Sequence, residues 1–526
     1  MKKIFNISLI ALGLLTTSCN NDLLDTYSPG ALTEDVAIQN SSDLQMLLNS
    51  AYSIMGNRSE SAFVSVFTDE VGIGFANGGQ GVNDSYVFFL NSGSDGPTAL
   101  WGNPYLAMAR INRVIEFADR ITPKNPQDAE KIADIKAQAL TLRAYGHLKV
   151  LSYFTTDMKN DAALAGILAD RIFEADENDI PRSTNGEFYS FIHNDLNQAI
   201  SLFASAPSVP ISSSYANINF ARGLKARAYA YKGDYVNAET WANTVISTSN
   251  IPLANKAQYR NLFFMDAPPA NGPELIFKFN RLPLENNQGT NLHNAWVSLR
   301  PNEAGSPFYE VSRALHNKLN PASLPANTLL TQLNDVRANV IIAPSSVIDP
   351  NYATSADYRN TDRIIINKHG GVATGANTWA TTGTQQNNNS FKIMRISEMY
   401  LILAEARAAQ SDFAGAAANV KIIRDARTET SQFVPTPANA TEAWKMILDE
   451  RRIEFAFEGY RFIDLKRLGT LANSGIDRDP ADYSSSTMNY PAGNPANLPL
   501  SSHKWALPIP TLETNVNSAI QQNPGY

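Results

Sequence analysis

Three stretches of this chain share one spacing of small and aromatic residues, and that spacing leaves few folds open. They are residues 135–154 (IKAQALTLRAYGHLKVLSYF), 221–247 (ARGLKARAYAYKGDYVNAETWANTVIS) and 397–427 (SEMYLILAEARAAQSDFAGAAANVKIIRDAR). In the second, one helix is expected to stop at Gly233-Asp234-Tyr235 and another to start at once, carrying Ala238, Trp241, Ala242 and Val245. The third repeats the device, with Leu403-Ala404-Glu405-Ala406 before a turn at Ser411-Asp412-Phe413 and Ala416 to Ile423 after it. Alanine at the close contacts lets antiparallel helices approach, and an aromatic fills the gap at the turn. Such a pair buries its apolar face only by stacking on neighbours, which is the logic of tetratricopeptide-like repeats. The repeats lie far apart and keep no strict register, so the expected fold class is mostly α: a tetratricopeptide-like helical-repeat scaffold with long loop-rich insertions.

Further elements fit that scaffold. Leu44, Leu47, Leu48, Ala51, Tyr52 and Met55 form an apolar stripe that predicts a helix over 43–55. Residues 68–98 are rich in Gly, Asn, Ser and Asp yet hold Phe75, Tyr86, Phe88 and Phe89, as an aromatic-bearing surface loop would. Trp101 is expected to open a helix with Tyr105, Met108, Ile111, Val114, Ile115 and Ala118 on one face, closed by Pro123 and Pro126. Between 268 and 389 the periodicity dissolves, apart from short strands expected at 274–279 and 363–367. The scattered Trp296, Tyr309, Tyr352 and Trp379 make this span a functional elaboration. Residues 473–502 have the same loop-rich character.

The N-terminus sets the compartment. Residues 1–19, MKKIFNISLIALGLLTTSC, read as two lysines, an apolar run over 4–15 and small residues ending in the sole cysteine. That run is shorter than the roughly 20 residues a membrane-crossing helix needs, so a secretory signal over 1–18 is expected. Cys19 cannot form an intramolecular disulfide, and its position resembles the lipobox of bacterial lipoproteins, with Thr16 where the common pattern has Leu. Two acyl chains on that cysteine would give stable anchoring.

Composition and motifs exclude several classes. With 43 Lys+Arg against 50 Asp+Glu the net charge is −7, which disfavours a phosphate-tracking groove and hence nucleic acid as a partner. No Walker A loop, HExxH, GxSxG, GxGxxG or EF-hand loop occurs. The six histidines are scattered, and no cofactor is expected. Structural calcium stays open, because Asp176-Glu177-Asn178-Asp179 offers oxygens without a defined ligand spacing. Glu450, Glu454 and Glu458 lie one helical turn apart, but carboxylates on one helix face cannot flank a glycosidic bond from two sides, as a glycosidase requires. Ion pairing with Arg451, Arg452, Arg461, Lys466 and Arg467 is the expected use of these acids, with Phe455, Phe457, Tyr460 and Phe462 packed inward.

Together these segments resemble the SusD/RagB family of outer-membrane nutrient-binding lipoproteins of Bacteroidetes. The resemblance rests on Cys19 followed by Asp22-Leu23-Leu24-Asp25; on Trp101, Tyr105, Ile111 and Asn112; and on Leu142-Arg143-Ala144-Tyr145 and Ala226-Arg227-Ala228-Tyr229. It extends through residues 395–406 (RISEMYLILAEA), 450–467 (ERRIEFAFEGYRFIDLKR), 505–510 (WALPIP) and 523–526 (NPGY), and so covers essentially the whole chain. It implies an N-terminal SusD-like helical region over 19–280 and a C-terminal RagB/SusD region over 281–526 that includes the insertion 281–390. It also implies a lipid-anchored protein on the extracellular face of the outer membrane. Such a protein caps a SusC-like TonB-dependent transporter and passes it glycans, or in the RagB branch peptides, without cleaving them.

The family's ligand contacts lie in variable loops, so candidate contacts come from the chemistry of the residues. Sugars present apolar faces and rings of hydroxyls, and proteins bind them with aromatic platforms and short polar side chains. Tyr86, Phe88, Trp101, Trp296, Tyr309 and Trp379 are the candidate contacts, near Asn83, Asn294 and Asn377, with Asp69 as a candidate hydroxyl acceptor.

Overall fold

The computed structural model describes residues 34–74, 84–174, 176–264, 272–280, 308–355, 361–369, 390–483 and 495–526. The longer helices of the first half are α1 (Ser41–Met55), α2 (Ser59–Phe67), α3 (Asp95–Ala118), α4 (Pro126–Phe154), α5 (Asn185–Ala204), α6 (Ile218–Lys232), α7 (Tyr235–Thr248) and α8 (Lys256–Phe264). The second half adds α9 (Arg313–Leu319), α10 (Val336–Ile341), α11 (Ile396–Ala409), α12 (Phe413–Arg427), α13 (Ala440–Glu454) and α14 (Arg461–Leu468). The protein is mostly helical, as expected.

The helices stack in an almost unbroken series: α1 on α3, α3 on α4, then α5, α6 and α7 in turn, after which α11 packs on α7 and α12 on α11. The expected helix breaks fall where the turn chemistry puts them. Gly233 ends α6 in the left-handed region at φ +84°, and the Asp234 side chain caps α7 by accepting from the Asn237 N–H. Between α11 and α12, Ser411 takes φ +62° and Asp412 caps by accepting from Gly415. At α5, Thr184 and Glu187 form a reciprocal capping box. Each such cap contributes about 1 kcal/mol.

Four expectations are corrected. Trp101 does not open its helix, because α3 starts at Asp95 and the tryptophan lies inside it. Pro126 opens α4 behind the Asn125 cap, since proline's missing N–H costs nothing in a first turn. The strand expected at 274–279 is present as β2 (Leu275–Phe279), paired antiparallel with β4 (Phe391–Arg395), but the region 268–389 is not otherwise patternless where it is described, since α9 and α10 lie between them in the chain. The strand expected at 363–367 is reduced to two isolated bridges, Arg363 with Val347 and Ile366 with Ile342. A second ribbon pairs β1 (Val71–Ile73) with β3 (Tyr309–Val311).

The segment 450–467 locks this assembly together. Glu450 meets Arg337 at 2.6 Å and Arg424 at 2.7 Å; Glu454 meets Arg395 at 2.6 Å and Arg427 at 2.8 Å; Glu458 meets Lys368 at 2.6 Å and Arg395 at 2.9 Å. The arginines of the segment reach out in the same way, Arg461 to Asp69 and Arg467 to Glu405. The partners of Glu450, Glu454 and Glu458 therefore come from outside the segment, while Arg451 and Arg467 also pair with Asp464 within it, at 2.8 and 3.1 Å. Lys466 instead donates to the Ser152 and Thr155 carbonyls at the C-terminal end of α4. The charges of Glu450, Glu454 and Arg427 are buried, so removal of one partner strands another.

Candidate functional site

The β1–β3 ribbon is the base on which several loop-rich segments converge. Its register sets Ile73 opposite Tyr309 and Gly72 opposite Glu310, and the Gly74 N–H donates to the Phe308 carbonyl at 2.9 Å. Tyr309 stacks on Tyr86, ring centres 6.4 Å apart, and Phe308 meets Tyr309 edge-on at 5.0 Å. Beneath them the Arg478 guanidinium lies 4.0 Å from the Tyr86 ring centre and 4.5 Å from that of Phe88. It also donates to the carbonyls of Val66, Phe67, Thr68 and Tyr86. The first three end α2, where unpaired carbonyls and the helix dipole favour a cation. One side chain thus terminates a helix and supports an aromatic loop.

Asp482 completes the base. Its carboxylate accepts from the Arg313 and Asp479 N–H groups, and its carbonyl accepts from the Tyr86 hydroxyl. Burial, helped by the nearby Asp479 charge, pushes the Asp482 carboxyl up to about 7. The Arg313 side chain pairs with Asp362 and lies 3.8 Å from the Tyr352 ring centre, while the Tyr352 hydroxyl donates to Asp479 at 2.9 Å. Half-buried Phe308, Tyr309 and Tyr352 give this base an aromatic outer surface over a polar, cross-tied floor.

The structure sorts the candidate contacts. Tyr309 lies at the surface of the base, with burial raising its hydroxyl to about 12 against the opposing charge of Arg478. Tyr86 and Phe88 are fully buried and serve as its underlayer, which corrects their assignment as ligand contacts. Trp101 is also in the core, packed on Tyr105 and Phe154 with its indole N–H on Glu513 at 3.1 Å. Asp69 is no free hydroxyl acceptor: it is buried and accepts from Arg461 through both oxygens at 2.8 Å. Burial opposes its charge, yet Arg452 and Arg461 hold the carboxyl well below the usual range. Trp296, Trp379, Cys19, Asn83, Asn294 and Asn377 lie outside the described residues.

Sequence reasoning missed Phe308, Arg313, Arg478 and the role of Tyr352. The only signal was an aromatic or arginine standing inside a polar, loop-rich stretch. Phe89 is 55% exposed although Tyr86 and Phe88 are buried, so an aromatic in 86–89 does not by itself mark which ring faces out.

Glu450, Glu454 and Glu458 are sequestered by the cations described above, and the Glu454 carboxyl is held well below its usual range by Arg427 and Arg395 against the opposing effect of burial. At the acidic stretch 176–179, Glu177 is taken up by Arg171 and Asp179 accepts from Ser518. Among the described residues no cluster of three or more metal-ligating side chains occurs, and no helix is long and apolar enough to cross a membrane.

Comparison with known proteins places the chain. Residues 22–230 match a SusD-like family model described as starch-binding and associating with the outer membrane, and residues 328–526 match the SusD family model. A SusD-like protein, P2, of Formosa agariphila is 24% identical over 553 residues, covering 100% of both chains. A solved structure of a putative sugar binding protein from Bacteroides vulgatus aligns at a TM-score of 0.70 with 22% identity, over 93% of this chain and 99% of the other. A SusD superfamily protein from Bacteroides thetaiotaomicron aligns at 0.70 with 23% identity, over 92% and 100%. With both ends matched by SusD models and one fold shared along its length, the chain belongs to the SusD/RagB family.

Proposed function

We propose that the protein is a non-catalytic cell-surface lipoprotein that captures glycans and delivers them to a SusC-like TonB-dependent transporter. The observation that carries this reading is the match over residues 22–230 to a family described as starch-binding and associated with the outer membrane. The aromatic surface of Phe308, Tyr309 and Tyr352 on a cross-tied base supports it, because aromatic faces and fixed polar groups are what sugar rings need. Lipid on Cys19 anchors the protein at the extracellular face of the outer membrane, and Trp296 and Trp379 supply further stacking surfaces.

The test is calorimetric titration of the soluble chain beginning after Cys19 against plant, host and microbial glycans, with mixed peptides alongside. The expected result is a glycan that binds without being degraded and loses about tenfold in affinity in Tyr309→Ala or Trp296→Ala. Heat from peptides alone would transfer the protein to the peptide-binding branch. Silence from both classes would overturn ligand capture and leave a transporter lid. Co-purification of the full-length protein with a barrel transporter tests the partner.

A further inference from the structure

A cleft lies between α2, α4 and the turn 455–460 that joins α13 to α14. Three adjoining hollows, with about 40, 20 and 10 Å³ of open space, share Glu60 and Lys149 in their walls. The two side chains pair at 2.9 Å, and the Tyr153 hydroxyl donates to Glu60 at 2.8 Å. Burial opposes the Lys149 charge, and the neighbouring Glu60 carboxylate more than offsets it, holding the ammonium above its usual range. Half-buried Asn57, Ser61 and Asn103 border the hollows beside the pair.

The far wall is formed by Glu458, Gly459 and Tyr460, next to strained backbone at Phe457. Phe457, bulky and buried, holds φ +62°, and Gly459 holds φ +86°. The Glu70 carboxylate keeps Phe457 there by accepting its N–H at 2.9 Å. A Cβ on Gly459 would stand 3.2 Å from the Glu60 side chain, so the glycine lets the turn close on the ion pair. A left-handed bulky residue costs on the order of 1–3 kcal/mol and persists where the surroundings enforce it, as at ligand clamps. Core packing alone does not call for an ion pair, short amide and hydroxyl side chains and a strained turn around one recess.

We infer that this cleft is a second subsite, which takes two adjacent hydroxyls from the edge of a sugar ring. A fixed carboxylate beside a fixed ammonium offers one acceptor and one donor, and a vicinal diol can donate to the first while accepting from the second. The size sets the limit: one water needs roughly 10–15 Å³ of such space, so the hollows hold a few hydroxyl-sized groups and not a whole ring. The sugar class rests on the function proposed above, whereas the position rests on the cleft alone.

The test is ligand-observed NMR on the soluble chain with methyl α-D-glucopyranoside, methyl α-D-mannopyranoside and methyl β-D-galactopyranoside as probes. At least one is expected to bind with millimolar affinity, weakened about tenfold by Asn103→Ala and by Lys149→Met. Asn103→Ala decides the matter if Lys149→Met fails to fold. Binding lost in Tyr309→Ala but kept in Asn103→Ala would put the sugar at the β1–β3 base and overturn the second subsite while keeping glycan capture. No binding of the three glycosides to a chain that binds a polysaccharide overturns it too, and a chain that binds neither overturns both readings.

Discussion

The Asp482 carboxylate occupies the space that a side chain at position 72 would need: a Cβ on Gly72 would stand 2.6 Å from Asp482 Oδ1. Gly72 is the middle residue of β1, so the C-terminal loop is seated directly on the ribbon that carries Tyr309. Gly72→Ala is expected to destabilise by about 1–3 kcal/mol, because the carboxylate is pinned by two N–H donors and cannot retreat freely. Thermal melting reads this directly, and ligand titration should show a larger loss of affinity than a core alanine substitution of equal cost.

Arg478→Lys separates charge from shape. A lysine keeps a cation at the end of α2 but lacks the planar fork that reaches four carbonyls and lies under two rings. The expected outcome is a modest drop in melting temperature and loss of most glycan affinity. Unchanged calorimetric binding would show that the base tolerates a loose underlayer.

Glu70 gives the protein a pH signature. Burial pushes its carboxyl up to about 7. Between the ordinary carboxylate range near pH 4 and this value the unfolded chain releases its proton while the folded one keeps it, so stability falls as pH rises through that window and levels off above it. Glu70→Gln removes the titration and keeps an acceptor for the Phe457 N–H. The difference in unfolding free energy between wild type and variant, from urea melts at pH 4.5 and 8, is expected to shift in favour of the variant at the higher pH. A difference that stays constant over this range would refute the assignment.

Glu454→Gln tests whether the acid row has any chemical task. The change leaves Arg395 and Arg427 with one shared buried carboxylate, Glu274, where they had two, and about 3 kcal/mol of stability should be lost. Incubation of wild type and variant with a bound glycan should yield no shortened products from either.

The helical scaffold was legible because its information is local. Alanine spacing, Gly233, and the Asp234 and Asp412 caps each act within one turn of chain, and each lies where the spacing predicts. The base under Tyr309 was not legible in the same way. Nothing near Tyr86 in the chain announces that Arg478 will lie beneath it, 392 residues away, or that Asp69 will be consumed by Arg461 rather than exposed. Buried and exposed aromatics have the same side chains in a loop without periodicity, so burial there is decided by partners that only the fold brings in. The acid row shows the intermediate case, since pairing was expected from composition while the identity of the partners was not.

The pairing of Asp69 with Arg461 also bears on how the chain is made. A carboxylate near the start waits for a guanidinium 392 positions later, and the Glu70 acceptor waits for an N–H 387 positions later. Closing such long loops is slow compared with forming α4 or the α6–α7 pair, whose contacts are local. A nascent or truncated chain ending before α14 therefore carries finished helices beside an unsupported ribbon, with Asp69 lacking the two-pronged Arg461 contact and β1 lacking the loop that seats it. Assembly is gated by the segment from Arg461 onward, about the last eighth of the sequence, and premature termination should yield aggregation-prone protein rather than a smaller functional one.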